Sequence, residues 1–203
     1  MSETESLSEN IRGTGIDAAA ATIGELQQAL TSGALTSAEF TAFYLARIER
    51  LNPRLRAVVT VSQSAAAEAQ ASDNARTGGQ PGRPLEGIPV LIKDNIAVEG
   101  MSATAGSPAL RDAESGDAFL VGRLREAGAV VLGKANLSEW ANFRSTRSSS
   151  GWSALGGQAV NPYGTGRNPS GSSSGSAVAV AAGLAPLAVG SETDGSISTK
   201  SRR

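Results

Sequence analysis

Apolar residues recur along this chain with two different periods, and the change of period divides it. From Thr22, the runs TIGELQQAL and TSAEFTAFYLARIERLN carry the three-to-four-residue spacing of helices. In the second run Phe40, Tyr44, Leu45 and Ile48 fall on one face, Thr36 or Ser37 can cap the start, and Asn52-Pro53 is the expected stop. Beyond this hairpin, short apolar runs alternate with helical ones. Strands are expected over AVVTVS (57–62), IPVLIKD (88–94), AVVLGKANL (129–137) and PLAVGSET (186–193). Helices are expected over 64–76, 118–128 and 175–185, the first stopped by Gly78-Gly79. Strands separated by helices of this length make βαβ units, so the expected fold class is α/β, with a mixed, mostly parallel sheet flanked by helices. Residues 1–21 are polar or alanine-rich without a clear period and are expected to be disordered or frayed. Segment 138–174, rich in Ser, Gly and Asn, reads as one long loop, and loops of that size in a compact domain are commonly functional.

Composition narrows the chemistry more than the fold. At 203 residues, with 40% hydrophobic and 18% charged, the chain is long enough for one domain with a real core. A net charge of -1 and only 4% aromatic residues provide for neither phosphate neutralisation nor base stacking, so no direct nucleic-acid partner is expected. The amino terminus MSETESLSENIRG lacks the basic flank and apolar stretch of a signal peptide, and no apolar run approaches the roughly 18 residues of a spanning helix. A cytoplasmic location and no membrane partner are therefore expected.

Two absences carry further. Without cysteine, the chain has no disulfides, thiolate nucleophiles or Cys-bearing metal sites; without histidine, it has no Ser-His-Asp triad, His-based metal site or imidazole base. Acid–base chemistry near neutral pH is left to a carboxylate, a tyrosine, or one of three lysines, Lys93, Lys134 and Lys200.

The stretch Asn168 to Ser176, NPSGSSSGS, has the composition of a linker, yet it runs straight into the small-residue helix expected at 175–185. A Gly/Ser turn at a helix start gathers N–H groups and hydroxyls that can hold a polar group. Gly171-Ser172-Ser173-Ser174-Gly175 matches the G-x-S-x-G elbow only formally, since the histidine is missing. A P-loop fails because Gly175 is followed by Ser176 and Ala177, and S-x-x-K fails because Val90, Val131 and Ile197 precede the lysines by three. What remains is a serine served by a lysine distant in sequence. Lys93, at the end of an apolar strand, is the best placed, because burial favours the neutral amine that can accept a proton. The plainer alternative pairs Lys93 with Asp94 or another carboxylate. Lys134 follows a similar strand without a link to the serines and is expected to be structural; Lys200 is expected to be solvated.

Three separated segments, GIPVLIKDNIAVEGMSATAGS, VVLGKANLSEWANFRS and PSGSSSGSAVAVAAGLAPLAVGSETDGSI, together resemble the amidase signature family, in wording closest to its peptide amidase branch. The resemblance spans 22–197. It implies hydrolysis of a carboxamide C–N bond by a Ser-Ser-Lys set whose middle serine follows a cis peptide, through an acyl-enzyme and without metal or cofactor. Residue by residue, it implies Lys93 as general base, Ser172 as the relaying serine and Ser196 as nucleophile. It further implies an oxyanion hole from the backbone N–H groups of Thr193, Asp194, Gly195 and Ser196, support from Ser173, and a pocket border at Ser149-Ser150-Gly151. The implied substrate is a small amide or a carboxy-terminally amidated peptide, and the oligomeric state is left open. After Ile197 the pattern breaks, so residues 198–203 read as a tail foreign to the family. The chain then reads as an amino-terminal portion with a sheet incomplete on its carboxy-terminal side, and is expected to be marginally stable and weakly active or inactive alone. An amidotransferase component that releases ammonia from glutamine for a misacylated tRNA, and a non-catalytic fragment, are the alternatives.

Overall fold

A computed structural model describes residues 8–11 and 14–198. Helix α1 (Ile23–Ser32) and helix α2 (Ser37–Leu55) each begin with a capping box, Thr22 with Glu25 and Thr36 with Glu39, which satisfies N–H groups that a helix start leaves unpaired. Phe40, Tyr44 and Ile48 are buried on the inner face of α2, as their spacing predicts, with Leu45 packed at its margin. The stop differs from the expectation at Asn52-Pro53, because α2 runs through Pro53 to Leu55. The termination signal is the Asn52 side chain, whose Oδ1 accepts the N–H groups of Ala57 and Val58 at 2.8 and 2.9 Å while Arg56 takes a left-handed conformation.

Strand β1 (Val58–Val61), helix α3 (Ala65–Thr77), strand β2 (Pro89–Lys93), helix α4 (Phe119–Glu126) and strand β3 (Val130–Ala135) follow. A two-residue ribbon of β4 (Trp152–Ser153) and β5 (Gly157–Gln158) precedes helix α5 (Ser174–Ala181) and strand β6 (Leu187–Val189). The main sheet has the order β1-β3-β2-β6, with β1 antiparallel to β3 and the other pairs parallel, so it is mixed and mostly parallel as expected. Every residue of β2 and β3 is buried, as befits parallel strands covered on both faces. Their side chains alternate between two cores. Leu91, Val130 and Leu132 face α1, α2 and α5, while Val90, Ile92 and Val131 pack with Val98, Met101 and Val121 on the side of α4.

Three features depart from the sequence reading. Residues 8–11 and 14–21, expected to fray, are docked: Ile11 is fully buried, and Glu9 pairs with Arg47 and Arg50 of α2. Buried Arg47 also donates to the carbonyls of Ala182 and Gly183 at 2.8 and 2.9 Å, so one side chain ties this segment, α2 and the end of α5 together. Residues 1–7, 12–13 and the tail from 199 onward lie outside the described residues. Segment 138–174 is not structureless, since it holds the ribbon β4–β5 and a short 3-10 turn at Glu139–Asn142. The strand expected over 186–193 ends at Val189, leaving 190–193 as a loop. Among the described residues, no helix is long and apolar enough to cross a membrane.

Two glycines should respond oppositely to alanine. A Cβ on Gly175 would lie 2.4 Å from the carbonyl oxygens of Ala57 and Asn136, which are backbone and cannot move aside, whereas a Cβ on Gly122 in α4 meets nothing within 4 Å. Gly175→Ala should cost about 3 kcal/mol and Gly122→Ala should gain about 0.5–1 kcal/mol. Urea unfolding midpoints, with m unchanged for Gly122→Ala, check both.

Candidate active site

The carboxyl ends of β2 and β6 point to one edge of the sheet, the edge where open α/β sheets place their sites. Lys93 is the last residue of β2, and Ser191 lies two residues beyond β6. The chain reaches the same edge a third time at Gly171-Ser172, joined by a cis peptide bond, just before α5 begins. Ser172 is buried and its carbonyl accepts the Ser138 N–H at 3.0 Å.

Lys93 Nζ is 2.9 Å from Ser172 Oγ, and Ser172 Oγ is 2.9 Å from Ser196 Oγ. The structure thus brings together three residues that lie 79 and 24 positions apart in sequence. Lys93 is fully buried, and burial pushes its amine down to about 8 from the ordinary lysine value of 10.5. The alternative pairing of Lys93 with Asp94 does not form. Asp94 Oδ2 instead accepts from the Thr104 hydroxyl and, at 3.1 Å, from the Gly106 N–H, and Oδ1 lies 3.7 Å from Lys134 Nζ. Lys134 also donates to the carbonyls of Asp94 and Ser102, the arrangement of a lysine that holds loops together. Lys200 falls outside the described residues.

Ser196 sits on the turn 192–196, which Gly195 makes possible with a left-handed φ of 68°. The exposed Glu192 carboxylate holds the far side of this turn. It accepts the Ser198 hydroxyl and N–H at 2.6 and 2.9 Å and the Ile197 N–H at 3.0 Å; these bonds, with the Gly195 N–H, hold its pKa below the usual carboxylate value. The Gly195 N–H is therefore turned to Glu192, and the N–H groups of Thr193, Asp194 and Ser196 have no partner among the described residues. Thr193, Asp194 and Ser196 line a cavity of about 380 Å³ together with Ser172, Ala141 and Asn142.

The remaining sequence candidates take supporting places. Ser173 Oγ donates to the Ser191 carbonyl at 3.1 Å and accepts the Ser191 N–H at 3.3 Å, so it clasps Ser191 and does not reach Lys93. Ser149, Ser150 and Gly151 do not line the cavity that holds Ser196. Ser150 Oγ accepts from Asn142 Nδ2 at 3.1 Å, Ser149 Oγ donates to Gln158, and the Gly151 N–H donates to Ser138 Oγ at 2.8 Å, so this loop backs the cavity wall. The wall itself turns at Trp140, Ala141 and Asn142, three successive non-glycine residues with φ of 50°, 55° and 74°. Such a run occurs where surrounding structure over-determines the backbone. Sequence reasoning missed Ser191, Asn95 and Glu192. For Ser191 the signal is topological: with Ile92 paired to Val189, the register carries Gly190 level with Lys93 and Ser191 one residue further, within hydrogen-bond reach of the Lys93 amine.

A family model described as Amidase matches residues 39–199. A probable amidase from Arabidopsis thaliana is 47% identical over 181 residues, covering 87% of this chain and 35% of the relative. A glutamyl-tRNA(Gln) amidotransferase subunit from Azoarcus sp. is 43% identical over 178 residues, covering 87% of this chain and 36% of the relative. The crystal structure of the native peptide amidase from Stenotrophomonas maltophilia superposes with a TM-score of 0.86 at 55% identity, covering 88% of this chain and 37% of that one. The chain thus spans about a third of the length of the relatives it matches.

A buried lysine with a lowered pKa leaves a signature in stability against pH. Below pH 8 folded and unfolded chains both hold the proton; between about 8 and 10.5 only the unfolded chain does, so stability rises with pH across that window. Relative to Lys93→Met, the wild type should gain on the order of 3 kcal/mol from pH 7 to 11, measured by urea unfolding at each pH.

Proposed function

Because the chain belongs to the amidase family, we propose that its serine–serine–lysine relay hydrolyses a carboxamide C–N bond, with Lys93 as base, Ser172 as relay and Ser196 as nucleophile. The observation that carries this reading is the unbroken path of two 2.9 Å contacts from the Lys93 amine to a hydroxyl that lines a cavity. With Lys93 protonated the path runs outward, lysine donating to Ser172 and Ser172 to Ser196. Deprotonation of Lys93 lets both hydroxyls turn, since a hydroxyl donates and accepts. Ser172 then donates to Lys93, and Ser196 to Ser172.

In that state the Ser196 proton passes to Ser172 as the Ser172 proton passes to Lys93, and Ser196 Oγ forms a bond to the amide carbon. The carbonyl oxygen gains the electron pair and is met by the unpartnered N–H groups of Thr193, Asp194 and Ser196, each such donor being worth about 3 kcal/mol. Gly195 completes the turn; its own N–H joins the hole only when it leaves Glu192. Collapse of the tetrahedral adduct breaks the C–N bond, and the proton held at Lys93 returns through Ser172 to the departing ammonia or amine. Water then attacks the acyl-enzyme through the same relay run again.

Likeness to a peptide amidase supports a carboxy-terminally amidated peptide or small amide as substrate, taken in the cavity beside Asn142. The chain is nearly as similar to an amidotransferase component as to the amidases, which keeps a second reading, release of ammonia from glutamine. Strict preference for glutamine and dependence on partner proteins would favour that second reading.

The test is intact mass after incubation with a fluorophosphonate. Wild type should gain one adduct, at a rate that rises with pH along a single ionisation at about 8, the value of Lys93. Ser196→Ala should gain none, and Lys93→Ala should react at least about 100-fold more slowly. A folded chain that gains no adduct at any pH would overturn the reading and leave a non-catalytic one.

A further inference from the structure

Three hydrogen-bond directions are open to an ammonium, and all three of Lys93 are taken by uncharged oxygens: Ser172 Oγ at 2.9 Å, Ser191 Oγ at 3.0 Å and the Ser191 carbonyl at 3.1 Å. Among the described residues, no charged group faces it from any element packed against it. Asp94 next to it is turned to Lys134, Glu192 next to Ser191 is committed to the turn beyond, the neighbouring position on β3 is Ala135, and the start of α5 offers only serines. Two of the three contacts come from one residue, Ser191, which the catalytic reading leaves without a role.

We propose that Ser191 is a positioning residue that aims the lone pair of Lys93 at Ser172. The inference rests on the catalytic reading above and adds the constraint that makes it directional. A neutral amine keeps two N–H groups and one lone pair distributed over the same three staggered directions. Unanchored, it could equally direct an N–H at Ser172 and its lone pair elsewhere, and then no proton could leave Ser172. The Ser191 carbonyl has no proton, so the position facing it must be an N–H. The Ser191 hydroxyl has a proton, but Asn95 meets it with an amide, Nδ2 at 3.0 Å and Oδ1 at 3.4 Å. With Oδ1 accepting that proton, Ser191 Oγ also faces Lys93 as an acceptor. Two N–H groups are thereby assigned, and the lone pair is left for Ser172.

The anchor is itself held at both ends. Ser173 clasps the Ser191 backbone through its N–H and carbonyl, and pairing of Val189 with Ile92 fixes how far past β6 the residue lies from Lys93. Ser191 does not reach Ser196, so its effect on chemistry must pass through Lys93.

Ser191→Ala removes the hydroxyl and keeps the carbonyl. Its fluorophosphonate acylation rate on the high-pH plateau should fall about tenfold, a fraction of the 100- to 10,000-fold range of a general base. The ammonium should lose a charge-assisted acceptor, so the midpoint of the rate profile should move to lower pH. Ser191→Thr, which keeps the hydroxyl, should restore both rate and midpoint. Titration of [13Cε]lysine signals reads the Lys93 midpoint without any reaction, and three lysines make the spectrum assignable by single Lys→Arg variants. A lower plateau together with a lower midpoint, both restored by threonine, supports the proposal. An Ala variant with the wild-type plateau, or a lower plateau with an unmoved Lys93 midpoint, overturns it. Should wild type form no adduct, the catalytic reading fails while the titration still decides the contact: a midpoint lowered by alanine and restored by threonine supports it, and an unmoved one overturns it.

Discussion

An amine kept dry and without a counter-charge is the constraint from which the rest of the site follows. A buried ammonium with only neutral oxygens around it pays for its desolvation without an ion pair in return, and that is why burial brings the Lys93 amine down to about 8. A carboxylate within reach would stabilise the charged form and hold the proton in place. The protein therefore has to supply Lys93 with enough hydrogen bonds to be tolerated and no negative charge. Serines and a backbone carbonyl meet that requirement.

Position along the sheet does the assembling. Lys93 closes β2, Ser191 lies two residues past β6, and Ser172 lies two residues before α5, so the contacts among them are fixed by strand pairing and by the contact of α5 with the sheet. Gly175 lets the first turn of α5 come against the backbone of Ala57 and Asn136, a separation that no side chain would permit. At its other end α5 is followed by the carbonyls that Arg47 holds, and Arg47 in turn holds Glu9. Packing far from the site thus bears on where Ser172 lies. Only Ser196 depends on a local device, the turn that Glu192 and Gly195 shape.

Much of this was legible in the residues. Alternating apolar runs predict the strands and helices, and the absence of histidine and cysteine directs attention to a lysine and serines. Its place at the end of an apolar strand singled out Lys93, but its assignment to Ser172 and Ser196 came from family resemblance, since no spacing rule links residues 79 positions apart. What stayed hidden depends on pairing. Ser191 lies in a stretch that reads as strand, and becomes a partner of Lys93 only once β6 is known to lie against β2 and to end at Val189. The docking of residues 8–11 and 14–21 was illegible for another reason: its anchor is a charged pair with a helix residue, Arg47, which sequence patterning assigns to solvent.

The two described lysines show how fine this positioning is. Both are fully buried near the ends of adjacent parallel strands, yet Lys134 faces Asp94 and Lys93 faces the serines. In the register, Val90 pairs with Val131 but Leu91 pairs with Gly133, so β3 carries one extra residue at that point. The bulge shifts the phase of every later side chain. It places Lys134 opposite Ile92, on the face shared with Asp94, and Ala135 opposite Lys93. Were β3 regular, Lys134 would stand across from Lys93 on its own face, and two amines would compete for the same few oxygens, with Asp94 left buried and unpaired. Glycine is what the bulge requires, because a Cβ at 133 would sit 2.1 Å from the Thr60 carbonyl on β1. The separation of the lysine that faces Asp94 from the one that faces the serines therefore rests on one missing methyl group in a neighbouring strand.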